Sequence, residues 1–218
     1  ADGFARASGK FGVCFAIGGP GATTPVTALA TAVTDQSPLL LITGEVATNL
    51  EGLGGFQDAS PDGLDDISIL KTVTRLSLSI ENPRILRQHL HQAISAMLGH
   101  TRGPVHLSVP TDVQQAEIEH SYHPTSEFLE RFDFASAPAV DAMWDHLDGA
   151  AVKVAILAET SAEAGDAPAL LREFAERFQI PVATTLRAKG VLPEDHPLSL
   201  GVFGYAGTRH AIEALLNN

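Results

Sequence analysis

The stretch AIGGPGATTPVTALATAVTD, residues 16–35, constrains the fold more than any other. A short apolar run, Gly12 to Ile17 (GVCFAI), stops at Gly18, Gly19, Pro20 and Gly21, and a helical pattern follows at once. Strand, glycine turn, helix is a common way to build a phosphate site. Glycines without a Cβ reach backbone angles closed to other residues and let another group come close. Thr24 is placed to cap the helix, with Pro25 at its first position. Val26, Leu29, Ala30 and Val33 recur at helical spacing and predict one buried face. The glycine spacing does not match GxGxxG, and no GK[ST] follows. The pattern therefore leaves two readings open, a tight strand-to-helix turn and a ligand site.

The rest of the chain repeats the theme. LLLITG (39–44) is a continuous apolar run, as in a strand buried on both faces. Residues 82–98 read as a helix capped by Asn82, opened by Pro83 and ended by Gly99, with Leu86, Leu90, Ala93 and Met97 on one face. PVHLSVP (104–110) alternates Val105, Leu107 and Val109 inward. Residues 114–137 have little period and read as a surface linker pinned by Tyr122, Phe128, Phe132 and Phe134. VKVAILA (152–158) and PVATT (181–185) are then strands around a helix capped by Asp166, with Leu171, Phe174 and Phe178 on one face. Strands alternating with helices predict parallel sheets, so the fold class is α/β in two segments. ADGFARASGK reads as the last turns of a helix ending at Gly9. Both ends of the chain look cut.

Composition excludes several functions. With 218 residues, 44% hydrophobic and 18% charged, the chain suits a packed globular protein. Its net charge is −12 with no basic cluster, which argues against a nucleic-acid partner. There is no 18-residue apolar run and no signal-peptide core, so no membrane association is expected. Cys14 is the single cysteine and lies in an apolar run, as a buried inert thiol would. A reducing cytoplasm fits. His89 and His91 are two apart on a helix and point away from each other, and His120 and His123 have no cysteine nearby, so no metal site is expected.

Taken in order, the motifs resemble the thiamine-diphosphate enzymes of the acetolactate synthase type. ADGFARASGKFGV is similar to the family's ADGYAR-x-[ST]GK-x-GV, GGPGA to its GPGA turn, and TDQSPLLLITG to D-x-x-P-hydrophobic-TG. GGFQD resembles its FQ motif, and Lys71 falls where the family has a Thr-Lys pair. RGPVHLSVPTDV resembles GPV-x-[LIV]-x-[IV]P-x-DV, and LRAKGVLPEDHPLSLGVFGYAGT resembles the central-domain signature.

The resemblance implies a thiamine-diphosphate-binding fold followed by a Rossmann-like central domain, both incomplete. It divides the chain into a partial pyrimidine-binding domain (1–115), a linker (116–137) and a partial central domain (138–218). It implies a fragment of a carboligase or decarboxylase acting on a 2-keto acid, homodimeric or homotetrameric, with thiamine diphosphate and Mg²⁺ in a longer parent. The alternative is a non-catalytic member that keeps only the fold and dimer surface. By match, Pro20 and Gly21 would contact the aminopyrimidine ring. Thr24, where the family usually has Asn, would either contact the cofactor or cap the helix.

Phe56 and Gln57 would line the substrate channel, where a neutral amide can hydrogen-bond a keto acid; otherwise Gln57 is loop surface. Lys71 would attract a carboxylate, or else pair with Asp65 or Asp66. No catalytic residue is assignable: the family's glutamate would precede Ala1, and the chain alone is expected to be inactive. The diphosphate and Mg²⁺ motif GDG is absent. Some relatives carry FAD in the central domain, but the turn that would hold its diphosphate reads Ala158-Glu159-Thr160-Ser161. A carboxylate there repels phosphate, which argues against FAD.

Overall fold

The computed structural model describes residues 1–99, 101–118, 137–148, 153–163 and 165–216. It forms two compact units, Ala1–Arg131 and Phe132–Asn218. Tyr122, Phe128, Phe132, Phe134, His120 and His123 lie outside the described residues.

The first unit opens with helix α1 (Asp2–Ser8), which Gly9 ends in the left-handed conformation at φ 68°. Strand β1 (Gly12–Ile17) leads through the glycines into α2 (Pro20–Thr23) and α3 (Val26–Thr34). Strand β2 (Leu39–Glu45) follows, then α4 (Asp66–Lys71), β3 (Leu76–Ser79), α5 (Leu86–Leu98), β4 (Val105–Pro110) and α6 (Thr111–Gln114). The four strands are parallel in the order β1-β2-β4-β3.

Helices cover the sheet on two faces. On one, Ala93, Ile94 and Met97 of α5 pack with Leu40, Val105 and Leu107. On the other, Leu29 and Ala32 of α3 and Leu70 of α4 pack with Leu39 and Leu41. Met97 is fully buried, so truncating it to alanine costs about 2–5 kcal/mol. Asn82 accepts from the Arg84 amide at 2.9 Å, as a cap should, although the first turn (Pro83–Ile85) is a 3₁₀ helix.

Several expectations need correction. The helix after the glycines opens at Pro20, with Gly19 as its cap, and Pro25 merely precedes the first residue of α3. Thr24 therefore caps no N-terminus: its hydroxyl donates back to the Pro20 carbonyl at 2.7 Å. The buried face of α3 turns toward Leu29 and Ala32, with Val26 and Val33 half-buried. Strand β4 does not alternate between core and solvent. It lies between β2 and β3 in a sheet covered by helices on both faces, so His106 and Ser108 are buried as well as Val105 and Leu107. Cys14 is half-buried, and burial raises its thiol pKa.

The second unit holds α7 (Ala137–Asp148), β5 (Ile156–Ala158), α8 (Ala167–Phe178), β6 (Val182–Thr184), β7 (Ser199–Val202) and α9 (Arg209–Leu216). Its sheet is parallel in the order β5-β6-β7. Strand β7 is additional to the single βαβ unit expected, and β5 is shorter than VKVAILA. Asp166 stands at the cap position of α8 but makes no capping bond through its side chain. Phe174 and Phe178 do share a face, and Trp144 of α7 joins them at ring separations of 5.9 and 5.2 Å. No described helix is long and apolar enough to cross a membrane.

Candidate functional site

The glycine turn sits at the carboxyl end of β1, beside the carboxyl end of β2. In parallel sheets this edge is where ligands bind. Gly19 has φ 63° and ψ −118°, a conformation in practice reserved for glycine. A Cβ on Gly18 would lie 2.8 Å from the Gly44 carbonyl oxygen, and one on Gly21 would lie 2.8 Å from Cγ1 of Ile17. Packing at Gly18 and the backbone angle at Gly19 thus demand glycine before any ligand is considered, while the contact at Gly21 is with a side chain that can move. Pro20 is exposed and Gly21 half-buried, so the outer surface of the turn is open.

The structure brings Gln57 to this turn. A Cβ on Gly19 would stand 3.6 Å from Gln57 Cα, and Gly18 also abuts the Gln57 carbonyl. Gln57 is half-buried and has φ 61°, an unusual angle for a residue with a side chain. Its neighbour Phe56 is 89% exposed. The loop that carries them is tied at several points. Asp58 accepts from the Gly52 and Ser60 amides, and these bonds, with that from the Ser60 hydroxyl, hold its pKa below the usual range. Asp112 accepts from the Thr48 amide and hydroxyl at 3.1 and 2.6 Å.

Lys71 ends α4 as an exposed residue. It pairs with neither aspartate suggested for it. Asp65 accepts from the Ser68 amide at 3.0 Å, and Asp66 is buried against Thr43.

Two buried acids lie at the base of the loop: Glu45, which the sequence reading missed, and Asp66, which it named only as a partner for Lys71. Glu45, the last residue of β2, accepts through Oε1 from the amides of Val46 (2.8 Å) and Ala59 (3.0 Å). Asp66 accepts through Oδ2 from the Thr43 hydroxyl at 3.1 Å, and its amide donates to the Ala59 carbonyl. Thr43 also lies 2.8 Å from His106 Nε2, and Ser77 lies 2.8 Å from His106 Nδ1. Burial raises the Asp66 pKa to about 6 and lowers that of His106 to about 4. A neutral His106 carrying its proton on Nε2 satisfies the whole chain: Ser77 donates to Nδ1, Nε2 donates to Thr43, and Thr43 donates to Asp66. The available signal was a histidine and a serine inside the apolar strand VHLSV.

In the second unit, Glu159 directly follows β5. Its Oε1 accepts from the Thr160 amide (3.1 Å) and the Thr185 hydroxyl (2.9 Å), and Arg187 approaches Oε2 to 3.7 Å. The carboxylate is anchored at the carboxyl edge of the second sheet. His89 bonds the Ser79 carbonyl at 3.1 Å.

The family model described as thiamine pyrophosphate enzyme, N-terminal TPP binding domain, matches residues 1–68, and that described as the central domain matches residues 140–218. Among curated proteins, the acetolactate synthase large subunit of Corynebacterium glutamicum is 37% identical over 217 residues, covering 99% of this chain and 34% of its own length. Acetolactate synthase isozyme 1 large subunit of Escherichia coli K12 is 36% identical over 213 residues, covering 96% and 36%. The chain thus spans about a third of the length of the curated relatives it matches. A solved structure from Mycobacterium smegmatis, described as a candidate thiamin diphosphate-dependent enzyme, superposes with a TM-score of 0.81 at 24% identity, covering 98% of this chain and 41% of that one. That likeness carries the fold.

Proposed function

The chain belongs to the thiamine pyrophosphate enzyme family, and from that premise we propose that its first unit is the pyrimidine-binding part of an acetolactate synthase-like carboligase or decarboxylase acting on a 2-keto acid. The observation that carries this reading is the adjacency of the glycine turn and the Phe56–Gln57 loop at one sheet edge. The lining is Pro20, Gly21, Phe56 and the amide of Gln57: two apolar surfaces, open backbone and one neutral polar group. That donor set fits an uncharged heteroaromatic ring. It does not fit a diphosphate, and the sequence contains no GDG.

When bound, thiamine diphosphate would supply a carbanion-equivalent nucleophile for a keto carbon. The residues of this chain do the holding. Pro20 and Gly21 would pack against the pyrimidine ring. Thr24, whose hydroxyl is engaged by the Pro20 carbonyl, braces the turn. Gln57 donates its amide to the keto acid and adds no fixed charge. Phe56 excludes water from the channel mouth; Lys71 ends α4 toward the amino end of β3, away from the glycine turn, and takes no part in holding the substrate.

Domain limits of 1–115 and 138–218, a homo-oligomeric cytoplasmic protein, and a requirement for Mg²⁺ held by another domain belong to the same reading. So does inactivity of these 218 residues by themselves. Calorimetry on the full-length protein tests it: thiamine diphosphate with Mg²⁺ binds at micromolar concentration or tighter, and absence of binding rejects the reading.

One observation favours a second reading. Val13, Phe15 and Ile17 form an exposed apolar row on edge strand β1, with Phe15 76% exposed. Such a row suits an assembly module that keeps the fold and a dimer surface without chemistry. Oligomerisation without cofactor binding would single it out.

A further inference from the structure

Thr43 and Glu45 alternate along β2 and so face the same side of the first sheet. Ser108 is in register with Thr43 on the neighbouring β4, and Asp66 reaches Thr43 from α4. Three oxygens around Thr43 have no protein partner: Glu45 Oε2, Asp66 Oδ1 and Ser108 Oγ. Their residues are only 6%, 1% and 2% exposed. Buried polar atoms are almost always bonded, and three orphans on one patch of one sheet face call for a shared partner.

We propose that this patch is a built-in site for one ordered water, and that the water couples Glu45 and Asp66 into a clamp that positions the Phe56–Gln57 loop. The donors balance. Water donates one hydrogen to each carboxylate and accepts one from the Ser108 hydroxyl, which is the usual valence of a buried water. A cation is the poorer fit: two carboxylate oxygens and a hydroxyl fall well short of the ligand number a hard cation takes, and no metal-holding group occurs among the described residues.

The clamp acts on Ala59. Its amide donates to the Glu45 carboxylate and its carbonyl accepts from the Asp66 backbone amide, so the two residues hold Ala59, two positions beyond Gln57, from both sides. Glu45 and Asp66 are positioning residues. Their effect on substrate rests on the proposed role of Gln57; the water and the grip do not.

The test compares Ser108→Val with Ser108→Thr in the full-length protein, two side chains of equal shape that differ by a hydroxyl. In Ser108→Thr, water ¹⁷O relaxation dispersion retains every long-lived internal water, and the Ala59 amide keeps its exchange rate. In Ser108→Val one such water is lost and Ala59 exchanges about tenfold faster, as loss of roughly one hydrogen bond requires. The keto-acid KM rises severalfold in Ser108→Val with kcat held. Equal water counts in the two variants, or equal Ala59 exchange, overturns the clamp. Unchanged KM with altered exchange leaves the clamp and rejects the channel role of Gln57. Should Ser108→Val fail to fold, a high-resolution crystal structure of the unmodified protein decides: a water within bonding distance of all three oxygens supports the proposal, and a cation, a protein atom or dry space there rejects it.

Discussion

The Thr43 hydroxyl lies 2.8 Å from Nε2 of His106 and donates to Asp66 at 3.1 Å, so one buried oxygen mediates between a histidine and an acid that sit 3.9 Å apart. Both groups are displaced from their usual pKa values by burial, Asp66 to about 6 and His106 to about 4. Glu45 and Asp65 add to the Asp66 shift by like-charge repulsion.

The two shifts have opposite consequences for stability. Between pH 4 and 6 the folded protein holds a proton on Asp66 that the unfolded chain has released, so this group makes stability fall as pH rises. From pH 4 to 6.5 the unfolded chain holds a proton on His106 that the folded protein excludes, so this group makes stability rise. In the native protein the slopes largely cancel. Asp66→Asn should leave stability climbing with pH over 4 to 6.5, and His106→Gln should leave it falling over 4 to 6. Each slope amounts to roughly 3 kcal/mol at about 1.4 kcal/mol per pKa unit. Urea midpoints at half-unit pH steps measure both, and parallel profiles in the two variants would refute the assignment.

The glycine turn should be intolerant without any ligand. Gly18→Ala pushes a methyl against the Gly44 carbonyl, which the β-sheet fixes, and should destabilise by about 1–3 kcal/mol. Gly21→Ala meets only Cγ1 of the half-exposed Ile17, which can rotate away, and should cost less. Denaturant unfolding of cofactor-free protein gives the order, and equal losses at the two sites contradict it.

Gln57 keeps a left-handed backbone that a glycine would adopt freely. Gln57→Gly should stabilise the protein by about 1 kcal/mol and at the same time raise the KM for the keto acid. Stability gained with KM unchanged would show that the amide does not meet substrate.

Purified full-length protein should be colourless. Glu159 is held by Thr185 and the Thr160 amide at the turn a flavin diphosphate would need, and moving it would break both bonds. Flavin absorbance near one equivalent per chain is the contrary result.

Local pattern determined much of this protein. The apolar runs 12–17 and 39–44, the helix after Asn82 and the order of motifs are properties of neighbouring residues, and they carried the parallel α/β class and the family. Tertiary structure decided what depends on a third element. The helix opens at Pro20 and not Pro25, on a Gly19 held at φ 63° where the turn packs against Gln57, a contact no local pattern reports. Whether β4 alternates or is buried twice turned on helices covering both faces of the sheet at this central strand, which no local period reports. Thr43, Glu45, Asp66 and His106 span residues 43 to 106 and meet only because the parallel strands β2 and β4 lie side by side and α4 packs over them. Each reads as an isolated polar residue in sequence, and becomes part of a network only once burial removes water as its partner.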